Sequence, residues 1–139
     1  MTWRIVAAMT VLLVGGTSVP AVTEENFQLR SGADLVALCN APADDPLRAS
    51  AIHMCHGFCA GVYQTIMAFT MRDKVQPIVC PPDPPPSRAE AIAQFVTWAK
   101  SDVQHQGERP ADYVGRYLIA TYPCPKADGG SHRRSKRSR

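Results

Sequence analysis

Apolar residues recur along this chain at helical rather than strand spacing. The longest series is Ile52, Cys55, Cys59, Val62, Ile66 and Phe69, with steps of three, four, three, four and three. Residues three and four apart share one helical face, so this series predicts the seam of a central helix from about Leu47 to Met71. Gly57 and Gly61 lie four apart on a neighbouring face. Glycine costs a helix roughly 1 kcal/mol against alanine, and the pair predicts that another backbone comes close there.

Three further helices follow from local signals. Ser31-x-x-Asp34 forms a capping-box-like start, and Leu35, Leu38 and Cys39 follow on one face. Asn40 to Pro46 reads as a loop broken by Pro42 and Pro46. Ser87-x-x-Glu90 is a second capping box, ahead of Ile92, Phe95, Val96 and Ala99 with Trp98 beside them; this helix should end near Val103. Gln104 to Arg109 is a short turn, and Pro110 suits the first position of a last helix, whose face carries Val114, Tyr117, Leu118 and Thr121. Val22 to Arg30 is expected to be an extended lead-in, with Phe27 and Leu29 docking on the core. Between Asp73 and Pro86, the run Pro81-Pro82-Asp83-Pro84-Pro85-Pro86 must be extended and reads as a stiff strap across one end of the bundle. No alternating strand pattern appears. The expected fold is all-α: a small four-helix, disulfide-stapled domain with a short first helix.

The ends of the chain differ from its body. Arg4 followed by the apolar run Ile5 to Val14 and the small residues around Val19-Pro20-Ala21 reads as a secretory signal over residues 1–21. The run is too short for a membrane anchor, since about 20 apolar residues are needed to span a bilayer. After cleavage no segment is expected to stay inserted in a membrane. The domain then covers residues 22–126, and residues 127–139, rich in Gly, Ser and Arg, form a basic tail expected to be disordered. The chain carries net charge +3, but Arg4 and five basic residues after Ser131 supply six of its positive charges, which leaves the rest near −3. Nothing in that balance points to nucleic acid.

Export makes disulfides the default reading of Cys39, Cys55, Cys59, Cys80 and Cys124. Helix polarity pairs them. Cys39 ends the first helix and Cys55 lies early in the second. Cys80 lies beyond the far end of the second helix, about 24 Å of helix rise away. The third helix runs back and the fourth returns, bringing Cys124 to that same end. The simplest scheme is Cys39–Cys55 and Cys80–Cys124. A Cys55–Cys59 bond would join side chains directed alike on one helix, so Cys59 is left as a free thiol, buried as a small apolar residue.

Other chemistry fares worse. His53, Cys55, His56 and Cys59 do not converge as a tetrahedral zinc site must, because His53 and Cys55 are two apart on a helix. The order of these residues is also not that of covalent haem attachment. Cys59 with His105 as base would need an exposed, acidified thiol, whereas the seam buries it. Met54, Met67 and Met71 read as packing or surface residues. Trp98 and Tyr113 are either partner anchors or partly buried core. No catalytic residue, metal ligand or cofactor is assigned.

The motifs Asp34-Leu35-x-x-Leu38-Cys39, Cys55-x-Gly57-Phe58-x-x-Gly61, Cys80-Pro81, Arg109-Pro110-Ala111 and Tyr122-Pro123-Cys124 together resemble the Rap/Tai family of type VI secretion immunity proteins. The resemblance runs over about residues 27 to 125. It implies a periplasmic, helical, disulfide-bonded protein that binds a peptidoglycan amidase effector of the papain-like cysteine type. It further implies inhibition by occlusion of the amidase groove, often by an immunity homodimer, and no enzymatic activity. The long proline strap and the arginine-rich tail depart from the family pattern. An alternative class is a periplasmic stress chaperone of the HdeA kind, which would unmask apolar surface in acid. For the inhibitor reading, the strap and the turn Gln104 to Arg109 are the expected contact regions.

Overall fold

The computed structural model describes residues 20–73 and 76–125. The expected tail and all of the expected signal segment but Pro20 and Ala21 lie outside them. The described residues form four helices, α1 (Gly32–Cys39), α2 (Arg48–Arg72), α3 (Arg88–Ala99) and α4 (Pro110–Thr121), with 3₁₀ turns at Glu24–Gln28 and Val103–His105. There is no strand among them. Among the described residues no helix is long and apolar enough to cross a membrane.

Both capping boxes form. The Ser31 hydroxyl accepts from the Asp34 backbone N–H, and the Ser87 hydroxyl accepts from that of Glu90. The remaining N-terminal donors of α1 find acceptors in another part of the chain: Gly32 N–H donates to the Glu108 carbonyl at 2.8 Å and Ala33 N–H to that of Gln106 at 2.9 Å. The short first helix is thereby tied to the turn before α4.

Two local expectations need correction. The lead-in is not extended but makes a 3₁₀ turn at Glu24–Gln28, because Thr23 and Asn26 cap each other reciprocally. Such local side-chain bonds compete with an extended backbone. Asn26 also donates to the Asp34 carboxylate at 3.0 Å. Burial raises the Asp34 pKa, but hydrogen bonds from Asn26, Ser31 and Arg30 outweigh it and hold the carboxyl below its ordinary value. The second correction concerns α3, which ends at Ala99 rather than near Val103. The Gln106 side chain donates to the Ala99 carbonyl at 3.0 Å and the Ser101 hydroxyl to that of Trp98 at 2.7 Å. Carbonyls that would otherwise continue the helix are satisfied by a cap instead.

The core gathers Leu35 and Leu38 of α1, Ala51 and Cys55 of α2, Ile92, Phe95 and Ala99 of α3, and Tyr113, Val114, Tyr117 and Leu118 of α4. Phe95, Trp98, Tyr113 and Tyr117 pack as one aromatic cluster, with ring centroids 5.0 to 6.3 Å apart. Tyr113 is fully buried and Trp98 packs against the core, so neither is a free anchor for a partner. Gly32 lies under the Tyr113 ring: a Cβ there would sit 2.7 Å from the ring carbons.

Cys39 is bonded to Cys55 and Cys80 to Cys124, across 16 and 44 residues of chain. In the loop-entropy account these cross-links are worth about 3 and about 4 kcal/mol. The Cys80 backbone N–H also donates to the Tyr122 carbonyl at 2.8 Å, which ties the proline strap to the end of α4.

Candidate interaction surface

α2 is 25 residues long, yet its buried residues are Ala51 and Cys55, both in its first third. Past Cys55 the sequence remains apolar on more than one side. The expected seam holds through Cys59, Val62 and Ile66, which are half-buried against the core. It fails at Phe69, which is 57% exposed; Met71 is 71% exposed. A helix apolar all round belongs inside a larger assembly. Here the chain's own helices cover one side of it.

The uncovered side opens on a groove of about 1050 Å³ between α2 and α4. α2 contributes Gly57, Phe58, Gly61, Val62, Thr65 and Ile66; α4 contributes Ala111, Asp112, Gly115, Arg116, Ile119 and Ala120. Glu108, from the turn before α4, lines it as well. The expectation that Gly57 and Gly61 face a neighbouring backbone is therefore overturned. A Cβ added at Gly57, Gly61 or Gly115 would meet nothing within 4 Å. α4 forms the far wall of the groove but does not close on these glycines, so the smallest residues of α2 border open space.

Charges at the groove are paired among themselves. Arg116 bonds to Glu108 at 2.5 Å and Arg109 to Asp112 at 2.6 Å. Hydrogen bonding to these carboxylates raises both guanidinium pKa values. The groove thus offers an apolar floor with neutralised ion pairs beside it, suited to an apolar element of a partner.

The two expected contact regions are firmly held. The turn Gln104 to Arg109 accepts the α1 backbone donors, and its His105 Nδ1 lies 2.7 Å from Oδ1 of Asp102, just before it. Tyr113 OH donates to the Asp102 carbonyl at 3.2 Å. Of the turn, Glu108 reaches the groove; the strap does not line it.

Cys59 is free and half-buried, and burial pushes its thiol up to about 12. The thiol stays protonated at neutral pH, the reverse of what a nucleophile needs. His105, its conceivable base, is engaged with Asp102. The one grouping of potential metal-ligand atoms among the described residues is Cys39, Cys55 and Cys59, all within 4.8 Å of one another. Two of these sulfurs are joined in a disulfide and cannot serve as thiolates. His53 and His56 are not part of that group.

The described residues thus form an all-helical body, cross-linked by two disulfides and carrying an open apolar groove. A family model described as Rap1a immunity proteins matches residues 31–124, and the chain belongs to that family. The comparisons with curated proteins and with solved structures return no match.

Proposed function

We propose that this protein is a periplasmic immunity protein that neutralises a type VI secretion effector, a papain-like peptidoglycan amidase, by binding it and occluding its active site. Membership of the immunity family carries this reading. The two disulfides fit an oxidising compartment. The α2–α4 groove is the contact face, with an apolar helix or loop of the amidase seated over Gly57, Gly61 and Gly115. The disulfides and the tied turn keep the face rigid, which spares the ordering cost that weakens association. The basic tail takes no part, so a chain ending at Lys126 still protects.

The test mixes the purified protein with the amidase encoded beside its gene and follows cleavage of wall peptides. A stable complex and slowed cleavage are expected. Gly61→Leu fills open space, so it should keep the fold while weakening the complex by at least about tenfold, or 1.4 kcal/mol. No complex at micromolar concentration and no slowing would overturn the immunity reading. Binding to unrelated unfolded proteins that appears on acidification would then place the protein with the stress chaperones.

A further inference from the structure

A second cavity lies on a different side of α2. Of the α2 residues lining it, Cys59 and Tyr63 lie about 120–160° round the helix from Gly57, Gly61 and Thr65, while Ala60 and Gln64 lie between the two faces. Its volume is about 310 Å³. That falls at the lower end of ligand pockets, which run from about 300 to 1,000 Å³. It is roughly twice an engineered cavity of about 150 Å³ that admits benzene.

Tyr63, Phe95, Tyr117 and Tyr122 are among its lining residues. Tyr117 OH donates to the Ala91 carbonyl at 3.0 Å and Tyr122 OH to the Gln94 side-chain oxygen at 2.7 Å. With their hydroxyls bonded to protein, Tyr117 and Tyr122 bring no free polar group to the cavity, and they and Phe95 line it from the buried core. Apolar cavities do not hold water firmly and accept apolar guests. Pro81, Pro85 and Pro86 supply another wall from the strap. Proline's fixed φ and the Cys80–Cys124 bond set this wall before any ligand arrives. Arg88 is the charged side chain of the lining, and it makes no ion pair among the described residues.

We infer that this cavity binds a small apolar molecule carrying one anionic group, its rings or chain against Tyr63, Phe95 and Tyr117 and its charge at Arg88. The site is distinct from the groove and does not depend on an effector.

Titration of the purified protein with 1-anilinonaphthalene-8-sulfonate tests this, with uncharged N-phenyl-1-naphthylamine in parallel. One saturable site is expected for each dye. Ala60→Leu fills the cavity and should weaken both by at least about tenfold. Gly61→Leu, on the groove side, should leave both unchanged. Arg88→Gln should weaken the sulfonate alone, by about threefold, as an exposed ion pair would. Bound dye should also slow alkylation of Cys59, and this readout on the unaltered protein decides the matter if Ala60→Leu does not fold by circular dichroism. Absence of saturation, binding that survives Ala60→Leu, loss with Gly61→Leu, or undiminished Cys59 alkylation each overturns the site. Equal loss of both dyes with Arg88→Gln, or loss of neither, overturns the assignment of the charge.

Discussion

The contact of α1 with α4 and the groove between α2 and α4 both place glycine beside the last helix, with opposite results. Gly32 lies under the Tyr113 ring, where a Cβ would sit at 2.7 Å. Gly57, Gly61 and Gly115 face space in which a Cβ would touch nothing within 4 Å. The first glycine is explained by packing inside the chain. The other three weaken their helices with no contact inside the chain to offset the loss, and that is how a surface kept bare for another molecule should look. Natural sequences forgo such easy stability gains where function needs the surface.

The largest break in this comparison should come at Tyr113. Tyr113→Ala removes the ring that Gly32, Phe95 and Trp98 pack on, and by analogy with other buried aromatics it should cost about 3–5 kcal/mol in urea unfolding. A loss below about 1 kcal/mol would mean that the α1–α4 contact is not a tight one. Gly32→Ala should follow, with overpacking of about 1–3 kcal/mol partly offset by better helix propensity; an unchanged melting temperature would erase the contrast with the groove.

On the open side the sign reverses. Gly57→Ala and Gly61→Ala should each stabilise by about 0.5–1 kcal/mol, because helix propensity improves and no clash arises. If either lowers the melting temperature, something in the protein already fills the groove.

Cys59 comes last, because its substitution conserves volume and apolar character. Cys59→Val should cost under about 1.5 kcal/mol near neutral pH. Its pH dependence is more telling. The folded-state pKa is raised from 9.0 to about 12 by burial, so the folded chain holds this proton more tightly than the unfolded one. The stability it contributes is complete below about pH 9 and is lost as pH rises toward 12. The urea midpoint of the unaltered protein should therefore fall more steeply between pH 9 and 11 than that of Cys59→Val; parallel curves would show that the thiol is solvated.

Much of this architecture is legible in the residues alone. Capping boxes at Ser31 and Ser87, Pro110 at a helix start and the three–four spacing of α2 are local signals, and each marks the helix it belongs to. The cysteine pairs follow from helix polarity, because rise per residue and alternating direction settle which ends meet. The lead-in turn and the early end of α3 were harder to read. Both rest on side chains bonding across a few residues, Thr23 with Asn26 and Gln106 with Ala99, and such caps leave no periodic trace.

The sides of α2 are what the sequence could not assign. Small residues at helical spacing identify Gly57 and Gly61 as a face meant for close approach, but not what approaches. That depends on where α1, α3 and α4 come to rest; α4 stops short of the pair and forms the far wall of a groove. Only the assembled fold turns Gly32, unremarkable in a capping motif, into the crowded glycine, and leaves the conspicuous pair lining a groove. Local chemistry fixes where helices start, stop and are cross-linked. Which face each one buries is decided by long-range packing, where every helix competes for the same apolar surface and the least crowded stripe is left over.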